Sequence, residues 1–182
     1  MRLVRRSGLI AIAVLSLGLV AASLGGCGKK ATAIASVDDF ALDMSHEDMV
    51  AGVKRGCPQC QIVNGFLIDV KGMPAYQGAT PNGVTLFEKL DKVILIGTAF
   101  DMPTKDAAFT FYNKMIAIKD LEDSPEEEDS KDGITHICRH KNFNDTQVNV
   151  CRNESDAGRY TVGYQRSVCV ALTADGGTLC EK

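Results

Sequence analysis

The sequence predicts an α+β protein: a helical and mixed N-terminal half followed by a compact antiparallel β half held by disulfides. Three observations lead there. Apolar residues recur at helical spacing only before residue 122, with the clearest stripe over 105–121. From Ile134 onward, short strand-like runs alternate with turn residues. Four cysteines in that second half fall at mirror positions about two turn signals, as they would in bridged hairpins.

The first 26 residues read as a leader. Arg2, Arg5 and Arg6 form a basic start, and Leu9 to Leu24 then runs uncharged for sixteen residues. That is short for a membrane-spanning helix, which needs about 20 apolar residues, and it suits the apolar core of a secretory signal. Leu24-Gly25-Gly26-Cys27 follows. This resembles the lipobox of bacterial lipoproteins, and the resemblance covers residues 1–27 only. It implies cleavage before Cys27 and acylation of that cysteine, palmitate included. Gly28 in place of an aspartate at the next position implies retention in the outer membrane, facing the periplasm or the cell surface. Several acyl chains, each worth about 0.8 kcal/mol per buried methylene, hold such a chain firmly. An ordinary signal peptide with a chance cysteine is the alternative. So is a prepilin-type leader cut after Gly8, although Ala13 stands where pilin leaders carry glutamate.

Composition bounds the partners. The leader removes three arginines and leaves 17 basic against 23 acidic residues, a net of −6. Residues 37–132 carry 9 basic and 18 acidic residues, whereas 133–182 carry 6 and 5. An acidic body without tryptophan is poorly equipped to bind nucleic acid. Cations or basic protein surfaces fit it better.

Residues 27–36 are small and polar and read as a tether. The acidic part spans 37–121. Ser45 and Asp48 form a capping-box spacing for a helix over 46–55 that stops at Gly56. Pro58 sits where a second helix could start. Residues 61–70 suit helix or strand, and 72–83 read as loop. Thr85 and Glu88 give another capping spacing, predicting a short helix to about Asp91. Val93–Ile96 reads as a buried strand. Thr104 caps a helix over 105–121, with Ala108, Phe111, Tyr112, Met115 and Ile118 on one face. Residues 122–132 hold seven acids and one lysine and read as a solvated loop between the halves. As a calcium loop they place Lys131 where a carboxylate is wanted. Residues 133–182 predict strands over 134–140, 146–152, 159–165, 167–173 and 178–181.

Export would put six cysteines besides Cys27 where disulfides persist. A hairpin centred between Asn144 and Asp145 sets Cys138 opposite Cys151. One centred between Ala174 and Asp175 sets Cys169 opposite Cys180. Cys57 and Cys60 remain for each other. Each hairpin bridge closes a loop near the 15-residue case, worth about 3 kcal/mol in the chain-entropy account.

Two constellations offer chemistry. Cys57-Pro58-Gln59-Cys60 resembles the dithiol motif of thioredoxin-like oxidoreductases. A helix starting there would stabilise the Cys57 thiolate. The buried strand that feeds this motif in that family is absent, since Val50–Gly56 looks helical and ends charged. Gln61 stands where a c-type haem motif needs histidine. On a strand, His136, Cys138 and His140 share one face and could bind zinc or copper. A Cys138–Cys151 bridge would remove the thiolate and leave two imidazoles. His46 reads as solvated. No phosphate loop, HExxH or Ser-His-Asp order is visible. The stretch from Tyr160 through Cys180 is similar to the disulfide-bounded β tail of type IV pilins and pseudopilins. CPxC followed by Leu95-Ile96-Gly97-Thr98-Ala99-Phe100 is similar to type IV secretion subunits.

The sequence therefore points to a lipid-anchored envelope protein that binds or assembles with another envelope protein, without cofactor and without enzymatic chemistry. A thiol-disulfide oxidoreductase using Cys57 and Cys60, and a metal binder using His136 and His140, are the alternatives.

Overall fold

Alternation of apolar and polar residues along the strands sorts them onto two faces of one sheet. The computed structural model describes residues 31–169. Its elements are a 3-10 turn (Val37–Asp39), α1 (His46–Gly56), β1 (Gln61–Asn64), β2 (Ile68–Lys71), β3 (Val84–Lys89), β4 (Lys92–Met102), α2 (Lys105–Ile118), β5 (Glu126–Lys131), β6 (Ile134–Phe143), β7 (Thr146–Ser155) and β8 (Tyr160–Val168). All eight strands pair antiparallel in the order β1-β2-β3-β4-β8-β7-β6-β5. Two four-stranded meanders thus meet where β4 lies beside β8.

On one face Val70, Val84, Leu86, Ile96, Phe100, Val162, Tyr164 and Val150 form a single core with Met49 and Val53 of α1 and Ala108, Phe111, Tyr112 and Met115 of α2. Phe100 and Phe111 rings stand 4.9 Å apart. The opposite face carries Gly97, Ala99, Thr161, Gly163, Gln165, Asn149, Cys151, Asn153, Cys138 and His136, all half-buried. The N-terminal half therefore contributes four strands beside its two helices, and the expected division into a helical and a β half gives way to one continuous sheet with helices on one face.

The caps act as the sequence predicts. Ser45 Oγ accepts from the Asp48 amide at 3.1 Å, and Thr104 Oγ1 from that of Ala107 at 3.1 Å. Helix α2 ends three residues before the predicted 121. Asp120 takes a left-handed φ of 57°, and the Leu121 amide returns to the Ile116 carbonyl at 3.0 Å. That turn buries Leu121 and puts Ile116 in the core in place of Ile118, which is exposed.

Other expectations are corrected. Residues 84–89 are strand, not helix, and Thr85 spends its hydroxyl on Asp69 of β2 at 2.6 Å instead of capping. The second helix expected at Pro58 is a turn, with proline at its second position and the Cys60 amide bonded to the Cys57 carbonyl at 2.9 Å. The acidic loop holds an edge strand, β5, because Asp132-Gly133 (φ 53° and 74°) makes a tight hairpin turn to β6. Its charges keep an edge from pairing further. The tether expected through residue 36 is docked by Ala31: Ile34 is fully buried, its amide meets the Gly52 carbonyl at 2.9 Å, and Arg55 donates to the Ala31 carbonyl. A Cβ on Gly56 would lie 2.3 Å from the Ile34 carbonyl, so only glycine permits this approach. His46 is not simply solvated; it pairs with Glu88 at 3.0 Å. The predicted strands 159–165 and 167–173 are continuous through Val168, and 178–181 lies outside the described residues.

A charged cluster fixes the N-terminal segment to the sheet. Asp38 receives Lys119 Nζ at 2.6 Å and the Tyr76 hydroxyl at 2.6 Å. Lys119 lies 4.4 Å above the Tyr164 ring, and Arg166 donates to the Phe40 carbonyl at 2.5 Å. Burial alone would raise the Asp38 carboxyl, but the hydrogen bonds from Lys119 and Tyr76 and the charges of Lys119 and Arg166 hold it below the usual range. Burial pulls Lys119 down despite Asp38. Burial, then Asp38, pushes Tyr76 well up. On the far side of α2, Tyr112 reaches Glu126 of β5 at 3.3 Å and is pushed up to about 12, first by burial and then by that carboxylate.

A group whose folded pKa is depressed adds stability above its unfolded value, about 3.9 for aspartate, and loses it as pH falls through the folded value. Asp38→Asn should therefore cost about 1 kcal/mol at pH 7, allowing for the partial exposure of the pair. Wild type and variant should converge at strongly acid pH; parallel denaturant curves at pH 7 and pH 2 measure this. The β3–β4 turn yields a second expectation. Leu90 and Asp91 both hold left-handed φ values, 53° and 59°, and Leu90 is 90% exposed. Such a conformation costs a side chain with a Cβ about 1–2 kcal/mol. Replacing the pair by Asn-Gly should raise stability by about 1 kcal/mol and Tm by about 2–4 °C in a thermal melt.

Candidate functional site

Polar residues converge at the end of the sheet where β4 leaves for α2. Register places Asp101 of β4 beside Thr161 of β8, Thr161 beside Asn153 of β7, and Asn153 beside His136 of β6. All four occupy the face away from the helices. Asn153 Nδ2 donates to Thr161 Oγ1 at 3.0 Å, which leaves Asn153 Oδ1 to accept from His136 Nδ1 at 2.8 Å. That assignment fixes the neutral imidazole as the Nδ1–H tautomer, with Nε2 a free acceptor. The Thr161 hydroxyl, already accepting, keeps its own proton to donate.

The β7–β8 turn forms the rim. The Ser155 amide bonds to the Arg159 carbonyl at 2.9 Å, and the Asp156 amide to the Gly133 carbonyl at 2.9 Å, so two hairpin turns brace each other. The cavity, open to solvent, is about 520 Å³, with Asp101, His136, Asn153, Ser155, Arg159 and Thr161 as its polar lining and Met102, Ile134 and Tyr160 as its apolar lining. A wider cleft of about 850 Å³ between residues 77–82 and the start of α2 shares Asp101 and Met102 with it. Neither Asp101 nor Arg159 makes an ion pair or side-chain hydrogen bond among the described residues. This is the concave, polar-studded geometry in which small ligands bind.

The sequence singled out His136 but missed Asp101, Arg159 and Thr161. Their only local signal was position at strand ends. The register that gathers them links residues 60 apart and leaves no mark in spacing. His140 lies elsewhere. Four residues of strand separate it from His136 by about 13 Å, and its Nδ1 stands 3.8 Å from Glu127. Among the described residues no group of three His, Cys, Asp or Glu could hold a metal.

Two of the three expected pairings are present among the described residues. Cys138 and Cys151 are opposite in register, bonded, with Cα atoms 4.1 Å apart. Cys57 and Cys60 are bonded, with Cα atoms 5.3 Å apart. Cys169 is also in a disulfide; Cys180, its expected partner, and Cys27 lie outside the described residues. The CPQC segment follows α1 instead of starting a helix. Its first cysteine caps the C-terminal, negative end of α1 and is fully buried, its amide bonded to the Val53 carbonyl at 2.8 Å. A helix end of that polarity gives a thiolate no support. The redox reading thereby loses the helix N-terminus on which it rested. Comparison with protein-family models, with curated proteins and with solved structures finds no match.

The 57–60 bridge should stay closed in a glutathione buffer poised at about −200 mV, and the protein should not reduce insulin. Rapid exchange in that buffer, followed by mass spectrometry of alkylated peptides, would restore the oxidoreductase reading.

Proposed function

We propose that the protein is a bacterial lipoprotein, anchored in the outer membrane through acylated Cys27, that serves the cell envelope as a non-enzymatic binding or assembly module. The observation that carries this reading is the state of the sulfurs: all five described cysteines are in disulfides. That is the chemistry of an oxidising compartment, and it agrees with a leader that resembles a lipoprotein signal.

The braced cavity around Asp101 supports a binding role, since its floor is already hydrogen-bonded in place. At the other end of the sheet Phe66 (88%) and Leu90 (90%) stand exposed in neighbouring turns, a surface suited to burial against a partner protein.

Cells expressing the full chain should incorporate labelled palmitate and retain the protein in the outer-membrane fraction. Cys27→Ser should abolish the label and release the protein to the soluble periplasm. An unmodified Cys27 in the wild-type protein would overturn the assignment.

A further inference from the structure

We propose that the cavity between β4, β8, β7 and β6 binds the zwitterion of an amino acid, its ammonium on Asp101 and its carboxylate on Arg159 and Thr161. The proposal refines the binding role above and rests on it. Asp101 lies on β4, and Arg159 lies in the turn that leads into β8. Thr161 is the direct partner of Asp101, and Arg159 lies two residues before it, so both charged residues open on the same cavity. Both are exposed and line the cavity, and no ion pair joins them within 4 Å among the described residues. The gap between a carboxylate and a guanidinium that do not touch suits a ligand that offers an ammonium to one and a carboxylate to the other.

The neutral groups fit the same pattern. Thr161 Oγ1 accepts from Asn153 and so has its proton left for a carboxylate oxygen beside the guanidinium. His136 donates from Nδ1 to Asn153, so its Nε2 faces a ligand as an acceptor. Strands lie about 4.8 Å apart, which puts His136 about 10 Å across the sheet from Thr161. A side chain of several carbons ending in a donor spans that interval, over Asn153 and beside Ile134. Lysine has these features: a zwitterion at one end, a flexible apolar stem, and an ammonium at the other.

The test uses the mature, acylated protein, labelled with ¹⁵N in detergent micelles and titrated with L-lysine. Shifts should appear at the amides of Asp101, Asn153, Arg159 and Thr161 and saturate. Lysinamide, which lacks the carboxylate, and Nα-acetyl-lysine, which lacks the α-ammonium, should each bind at least tenfold more weakly. Asp101→Asn should lose lysine binding while keeping a wild-type spectrum elsewhere, and Arg159→Gln should do the same. Absence of saturable shifts with lysine overturns the proposal, as does equal binding of lysine and both blocked derivatives, which needs no variant to fold. Acylation of Cys27 is read in the same sample by mass. Failure to bind with Cys27 acylated overturns the zwitterion alone, whereas an unmodified Cys27 overturns the lipoprotein reading.

Discussion

Eight backbone pairs between β4 and β8, from Leu95–Ser167 to Met102–Tyr160, turn two separate meanders into one sheet. Everything else hangs from that seam. Each meander alone has four strands and one apolar face. Joined, they give α2 a surface wide enough to bury Phe111, Tyr112 and Met115, and they place Phe100 and Val162 side by side beneath it. The seam also creates the cavity. Asp101 comes from the first meander, while Thr161, Asn153 and His136 come from the second, and no local segment holds both.

The seam is covered on its apolar side by residues 34–40. Ile34, Val37 and Phe40 are fully buried, and Arg166 of β8 binds the Phe40 carbonyl while Asp38 holds Lys119 at the end of α2. An acidic segment is thereby bound to two cations that would otherwise lie desolvated against Tyr164. With Asp38 partly open to solvent, the pair adds a modest net stability and fixes where the segment lies.

How much of this is legible in the sequence depends on how far apart the deciding residues lie. The Cys138–Cys151 pairing is legible because a two-residue turn at Asn144-Asp145 fixes register by counting. The helices are legible because Ser45 and Thr104 cap them locally. Strand β3 is not, since Thr85 and Glu88 have capping spacing but answer to β2 and α1, through Asp69 and His46. Strand β5 is hidden because its residues disfavour strands and only pairing with β6 forms it. The Asp132-Gly133 turn, a strong hairpin signal in itself, is masked by the acidic run around it. The site is the least legible of all, because Asp101 and Thr161 meet only when the seam forms.

The Cys138–Cys151 bridge acquires a second meaning beside the cavity. It joins β6 and β7 one side-chain repeat from the His136–Asn153 pair, on the same face. A one-residue slip between these strands would turn His136 to the helix side and break its bond to Asn153. Neither β6 nor β7 has a large apolar residue on this face near the bridge to resist such a slip. The apolar residues that could resist it, Ile137, Val148 and Val150, all lie on the other face, and β6 is supported outwardly only by the acidic edge of β5. The covalent link therefore does on this face what packing does on the other. It holds the imidazole, the amide and the threonine hydroxyl in one row, and a preorganised row loses less entropy on meeting a ligand than one that must first assemble.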